Sequence, residues 1–336
     1  MSAKPQTLAT LIESYFKQRL IAQRHSSRET IASYRESLRL LAVFASECLH
    51  TAPEKLTIEN LDREVVLAFL DYLEQTRCNC IRTRNSRLAA IRSFLKYVAY
   101  LDPTAMGVVQ RVLAIPSKRT VKPILGYLTR EELDVLLSVP DRNSRQGRRD
   151  YALLLFMART GARVSEAVGV NASDLRLNHP CQVLLRGKGG KERVTPMKSD
   201  ISDILNTLCG EMNIAPNTNA AVFVSMAGKR LTRHGVTHLM RRTVPIAVAN
   251  MPILARKTIT PHTLRHTTAM HLLQDGIDLN MIRSWLGHVS LDTTHQYVEA
   301  DVEMKRCILE QCGVVEAGQM RYQPTDKLLA LLESLC

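Results

Sequence analysis

The spacing of apolar residues constrains this chain more than any other feature. Ile31, Tyr34, Leu38, Leu41 and Phe44 follow one another at intervals of three or four, which places them on one face of an α-helix. Ser26-Ser27 supplies an N-cap ahead of that run. The same period returns at Val65, Val66, Phe69, Leu70 and Leu73, and again at Leu88, Ile91, Phe94, Leu95 and Val98. The helical rhythm gives way clearly in one place. Residues 182–186 and 192–197 form short strand-like runs around Gly187-Lys188-Gly189-Gly190-Lys191, the pattern of a β-hairpin. A chain patterned this way is expected to be mainly α (α+β), helical throughout with one small antiparallel sheet.

At 336 residues the chain can bury two cores. The boundary falls in IPSKRTVKPIL, residues 115–125, which holds two prolines, Lys118, Arg119 and Lys122 and has no periodicity. Beyond it Thr129 caps a new helix, with Glu131 and Glu132 in the first turn where they complement the helix dipole. The expected layout is a helical domain over 1–114, a linker over 115–125, a second domain over 126–313 and a tail over 314–336. No apolar run approaches the ~18–20 residues that cross a bilayer, and the N-terminus lacks the apolar core of a secretion signal. The eight cysteines are scattered. Cys78 and Cys80 form a lone CNC with no second pair, so reduced thiols are expected rather than a zinc site. No membrane partner and a reducing cytoplasmic location follow as expectations.

Charge narrows the partner. Lys and Arg outnumber Asp and Glu by 45 to 32, a formal charge of +13, which suits a polyanion such as nucleic acid. Arg77, Arg82, Arg84, Arg87, Arg92 and Lys96 lie in one stretch without an acid between them. On a helix, Arg84 and Arg87 fall opposite the Leu88/Ile91/Leu95 stripe, and Arg82, Arg84 and Arg87 are expected to meet a DNA backbone. Arg230, Arg233, Arg241 and Arg242, around a helix near residues 236–240, are also expected to face DNA.

The chemistry gathers in the C-terminal half. Thr160-Gly161 breaks a helix just before Arg163, and Glu166 follows three residues later. Thr260-Pro261 starts a helix that carries His262 and Arg265 on one face. Gly276 ends it, Asp278 caps the next helix up to Leu286-Gly287-His288, and Ser290 caps another that carries Tyr297. Two arginines, two histidines, a hairpin lysine and a tyrosine, without a carboxylate pair, suit a phosphodiester. Arginine forks clamp its non-bridging oxygens in the transition state. A tyrosine can attack phosphorus, and a lysine at a hairpin tip can protonate the leaving 5′ oxygen. Fixed cations then supply the charge stabilisation without a metal. The glycines around Lys188 open no helix through a Gly-Lys-Ser/Thr step, so a nucleotide-binding loop is rejected.

TGARVSEA, RGKGGKER, HTLRH, LGH and the tyrosine nine residues beyond that histidine together resemble the tyrosine recombinase family of phage integrases and Xer-type recombinases. TRNSRLAAIRSFLKYV resembles the family's helical, SAM-like core-binding domain, so the likeness runs from about residue 8 to about residue 310. The resemblance implies that Arg163 and Arg265 clamp the scissile phosphate and that Lys188 is the general acid. His262 would assist proton transfer, His288 would hydrogen-bond the phosphate, and Tyr297 would form a 3′-phosphotyrosine. Glu166 would support the site. Lys191 and Arg193, charged residues of the hairpin, are expected to contact the DNA backbone or to be solvated charge. Strand exchange trades a phosphodiester for a phosphotyrosine and back, so no ATP or other cofactor is expected. Double-stranded DNA, a tetramer on paired sites and a second recombinase or accessory DNA-bending protein are the implied partners. The extended tail favours integration and excision of a mobile element over Xer-type resolution of dimers. Its Leu328, Leu329, Leu331, Leu332 and Leu335 form an apolar stripe that must be buried, on its own domain or on a neighbouring protomer. A type IB topoisomerase and a non-catalytic DNA-binding regulator are the rival readings.

Overall fold

The computed structural model describes residues 7–120 and 126–287, with the Lys188 side chain outside that description. The chain divides into two compact units, Met1–Pro123 and Ile124–Cys336.

The first unit is helical. It opens with α1 (Leu8–Ser14), capped by Thr7, which runs directly into a π-helical segment, Tyr15–Gln23. That pair was not anticipated from the apolar spacing. Tyr15 is its anchor, fully buried against Phe94 and donating its hydroxyl to Ser93 Oγ at 2.7 Å. The helices α2 (Arg28–Cys48), α3 (Arg63–Gln75), α4 (Ile81–Leu101) and α5 (Met106–Leu113) follow. Ser27 caps α2 as expected, accepting from Thr30 N–H. Leu38, Leu41, Phe69, Leu70, Leu73, Leu88, Ile91, Phe94, Leu95 and Val98 are buried in one core. The three periodic stripes therefore converge, and removing them from water is the main source of the unit's stability.

Two expectations about the basic stretch need correction. Arg84 is only 3% exposed. Its Nε lies 3.1 Å from Glu74 Oε1 and its Nη1 donates to Asn85 Oδ1 at 3.1 Å, so it holds α4 to α3 and does not present a charge to DNA. The balancing acid, Glu74, lies in the preceding helix α3 and not between Arg77 and Lys96. The linker, too, begins later than its composition suggests. Ile115 is buried in the first core, and Asn85 donates to Lys118 O while accepting from Lys118 N–H. Lys118 Nζ reaches Glu74 Oε1 at 2.8 Å. Residues 115–118 thus pack on α3 and α4. Arg82 is exposed and Arg87 half-buried, and both line a cleft between α2 and α4 with Glu36 also on its wall. Cys78 and Cys80 are exposed free thiols.

The second unit is built around α7 (Arg145–Thr160), whose residues 152–158 are all buried. Ahead of it lies α6 (Arg130–Ser138), begun by the Thr129/Glu132 capping box. The short α8 (Val164–Gly169) leads to a three-stranded antiparallel sheet of β1 (Leu175–Arg176), β2 (Gln182–Arg186) and β3 (Glu192–Pro196), in the order β1-β2-β3. The hairpin was legible; β1, only two residues long, was not. Val183 and Leu185 point inward from β2, and Leu185 pairs with Arg193 across the ladder. The unit continues through α9 (Ser199–Glu211), α10 (Arg233–Asn250), α11 (Pro261–Gln274) and α12 (Leu279–Leu286). No helix among the described residues is long and apolar enough to cross a membrane.

Two of the four arginines expected to face DNA from around α10 are exposed and also bond within the fold. Arg242 donates to Asp150 Oδ2 at 2.6 Å, and Asp150 is buried and also paired with Arg149. Arg230 donates to the Val168 carbonyl at 2.8 Å. A buried carboxylate and a helix-end carbonyl each need such a donor.

The Arg84 correction has a measurable consequence. Arg84→Ala should destabilise the first unit by about 1–3 kcal/mol, because it strips a partner from the half-buried Glu74. Urea unfolding would detect this as a lowered midpoint, and an unchanged midpoint would return Arg84 to the surface.

Candidate active site

The site is assembled where α11 and α12 meet the break between α7 and α8. Thr160 ends α7, and Gly161 takes a left-handed conformation at φ 63°, which glycine adopts without steric penalty. A Cβ there would also lie 2.5 Å from Leu286 Cδ2. The turn directs Arg163 to the N-cap of α8. α11 begins at Thr260 with Pro261 at its first position, and Thr260 accepts from Thr263 N–H. It is buried through most of its length. Its threonines meet that burial by donating to carbonyls: Thr267 to Thr263 O, and Thr268 to both Leu264 O and Ala158 O. α12 is capped by Asp278 and closed by Gly287, left-handed at φ 64°.

The end of α12 organises everything nearby. The last carbonyls of a helix have no partner within it and carry the negative end of its dipole. Three consecutive ones here are taken by three arginines from three different elements. Arg193 of β3 donates from Nε to Trp285 O at 2.9 Å. Arg265 of α11 donates from Nη2 to Leu286 O and from Nη1 to Gly161 O at 2.6 Å. Arg163 donates from Nη2 to Gly287 O at 3.4 Å.

Glu166 joins two of these arginines from the other side. Its side chain is fully buried. Oε2 accepts from the Arg163 backbone N–H and from Arg193 Nη2, both at 2.8 Å. Oε1 accepts from Arg163 Nη1 at 2.8 Å and Arg193 Nη1 at 3.0 Å. Burial acts to raise the Glu166 pKa. Hydrogen bonds and charge from Arg193 and Arg163 more than offset it and hold the carboxyl at about 2. Three guanidiniums against one carboxylate leave the cluster cationic, and a third of the Arg163 side chain remains exposed. Arg265 is 3% exposed.

His262 lies one turn before Arg265, solvent-exposed yet partly shielded by its neighbours, its ring 6.4 Å from that of His266. Burial lowers its pKa below 6.5, and the charges of Arg265 and Arg163 lower it further. His262 is therefore neutral near pH 7 and able to accept a proton. His266 is driven down to about 4 by burial, with His262 and Arg265 adding to the effect.

The structure brings together Arg163, Glu166, Arg265 and His262 among the residues singled out in the sequence. It corrects Arg193, which is buried in the Glu166 pair and on the α12 terminus rather than turned toward DNA. Lys188 and Lys191 belong to the hairpin turn, with Lys191 exposed. His288, the Ser290 cap, Tyr297 and the leucine-rich tail lie outside the described residues. The carbonyls of residues 285–287 were missed. Their signal was Gly287, a helix-ending glycine directly before His288.

The phage integrase family matches residues 126–304, and the phage integrase N-terminal SAM-like domain matches residues 12–100. The chain belongs to the phage integrase family and is a tyrosine recombinase. It is 52% identical to the candidate integrase/recombinase y4rD of Sinorhizobium fredii, over 77% of this chain and 92% of that one. It is 31% identical to the tyrosine recombinase XerC of Pelobacter propionicus, over 86% and 90%. The recombinase also shares the fold of the Tn1549 transposon integrase, solved in complex with transposon right end DNA. The TM-score is 0.68 at 16% identity, covering 90% of this chain and 99% of that one.

The depressed Glu166 pKa fixes the sign of an acid effect. Its stabilising contribution is complete above the ordinary value of 4.5 and is lost as pH falls toward about 2. The loss should amount to on the order of 3 kcal/mol for the second unit. Urea unfolding followed from pH 5 to about pH 2 should show a steeper fall for wild type than for Glu166→Gln. Parallel curves would mean that the carboxyl is not held ionised.

Proposed function

We propose that this recombinase cuts and rejoins duplex DNA at specific sites through a covalent bond between Tyr297 and a 3′ phosphate. The observation that carries this reading is the convergence of Arg163 and Arg265 on one helix terminus, leading directly to His288 and, nine residues later, Tyr297. Their guanidiniums stabilise the extra negative charge on the non-bridging oxygens as the tyrosine oxygen attacks phosphorus. His262, neutral at working pH, takes the phenolic proton and returns it on rejoining. Lys188, in the hairpin turn, protonates the departing 5′ oxygen, and His288 hydrogen-bonds the phosphate. The phosphotyrosine conserves the energy of the cleaved bond, so a 5′ hydroxyl from a second strand reverses the step without ATP.

DNA is the partner that the net charge of +13 supports, with Arg82 and Arg87 in the first unit and Lys191 at the hairpin as backbone contacts. Two paired sites and four protomers are the working assembly. Integration and excision of a mobile element is the biological reading favoured here, and amplification of a circular excision junction from the host genome tests it against dimer resolution.

Covalent trapping on a nicked duplex from the gene's own neighbourhood tests the chemistry. Wild type should give a DNA-linked band after denaturation, and Tyr297→Phe should give none while binding the same duplex. A band that survives in Tyr297→Phe would overturn the assignment. Arg163→Ala should slow adduct formation by about 100- to 1,000-fold. Arg265→Ala should do the same and also lower stability, because its guanidinium bonds the carbonyls of Gly161 and Leu286.

A further inference from the structure

We infer that Arg193 is a positioning residue for the cleavage step, acting through Glu166 on the phosphate-clamping Arg163 and through the Trp285 carbonyl on the segment that leads to the nucleophile. The inference rests on the proposed function of Arg163 and Tyr297 and concerns a residue that the catalytic scheme itself does not use.

The geometry of one guanidinium carries it. Arg193 uses all three of its nitrogens on two partners: Nη1 and Nη2 on the two oxygens of Glu166, and Nε on Trp285 O. Its side chain is 12% exposed, so those bonds are made largely away from water and hold it in one place. The planar fork is required, because a bidentate carboxylate contact and a carbonyl contact from Nε cannot be met together by an ammonium. The backbone around it is shaped to fit. A Cβ on Gly287 would lie 3.1 Å from Arg193 Cδ, and one on Gly187 would lie 3.1 Å from Glu166 Oε1. Glycine at each of these positions leaves room for the pair.

Three parts of the site therefore share one tie. Arg193 lies on β3, five residues after Lys188, so it fixes the base of the hairpin whose turn contains that residue. Glu166 holds the Arg163 side chain at Nη1 and its backbone at N, so Arg163 is aimed by a carboxylate that Arg193 in turn fixes. The α12 terminus is pinned one residue before Leu286, where Arg265 binds. Without Arg193 the buried Glu166 keeps only Arg163 as its charged partner among the described residues. Arg163 would then be drawn toward neutralising that carboxylate rather than a phosphate. Misplacement of a clamp by about 1 Å is enough for a loss of about 100-fold in rate.

The test compares Arg193→Ala, Arg193→Lys and Arg163→Ala in the full chain, using single-turnover adduct formation on a nicked duplex and affinity for one site. Arg193→Ala should bind within about threefold of wild type and cleave about 100-fold more slowly. Arg193→Lys keeps a charge for Glu166 but has no Nε donor for Trp285, so it should recover only part of the rate, and it serves as the test if the alanine variant fails to fold. A second duplex carries a neutral methylphosphonate at the scissile position, which lacks a charge that Arg163 would neutralise. On it the defects of Arg163→Ala and the Arg193 variants should shrink together. A defect in the Arg193 variants that is equally large on both duplexes, or absent on the phosphodiester, would overturn the inference. Normal cleavage by Arg163→Ala would instead overturn the site assignment on which it rests.

Discussion

The C-terminus of α12 is the point on which the rest of the site depends. A helix end leaves carbonyls that need donors, and in a buried setting each unpaired one is costly. Here the donors are arginines from α8's N-cap, β3 and α11. The same bonds that satisfy the helix therefore gather cations from elements far apart in the chain. A cationic cluster results without any of the arginines having to stand alone against its neighbours. The cost of bringing three guanidiniums together is offset by helix-end carbonyls and by one carboxylate, Glu166, shared between two of them.

This arrangement makes the roles of the arginines unequal. Arg265 is almost fully buried and ties the α7–α8 break to α12 through two carbonyls. Arg193 is bonded through Nε, Nη1 and Nη2. Arg163 has one firm ion pair, one longer carbonyl contact of 3.4 Å and a third of its side chain in solvent. The three differ in how many of their donors the fold already occupies. Charge on a sequence therefore says little about how firmly each arginine is held; its partners in the fold decide that.

The histidines show the same interplay. Cationic neighbours and burial both oppose protonation of His262, so a residue that titrates near neutrality in water is held neutral beside a cluster of positive charge. The cations that would clamp an anion thus also keep the neighbouring base ready to accept a proton. The half-buried His266, held at about 4, adds no further charge to the pocket at neutral pH.

Much of this was legible from local patterns. The three apolar stripes of the first unit, the Ser27, Thr129, Thr260 and Asp278 caps, the break at Gly161 and the β2–β3 hairpin all depend on residues within a few positions of one another. Periodicity and capping report such contacts directly. The choice of Arg163, Glu166, His262 and Arg265 rested on the likeness of their motifs to those of tyrosine recombinases, and the fold brings the four into one cluster. The sequence alone could not settle what each arginine does. Arg84 and Arg193 stand in stretches rich in basic residues and looked like surface charge. Their partners, Glu74 for one and Glu166 with the Trp285 carbonyl for the other, come from different elements. An ion pair across elements leaves no periodic mark, because it is set by how helices pack and not by spacing along the chain. Local chemistry determined which residues could act; tertiary packing decided which of them are spent holding the others in place.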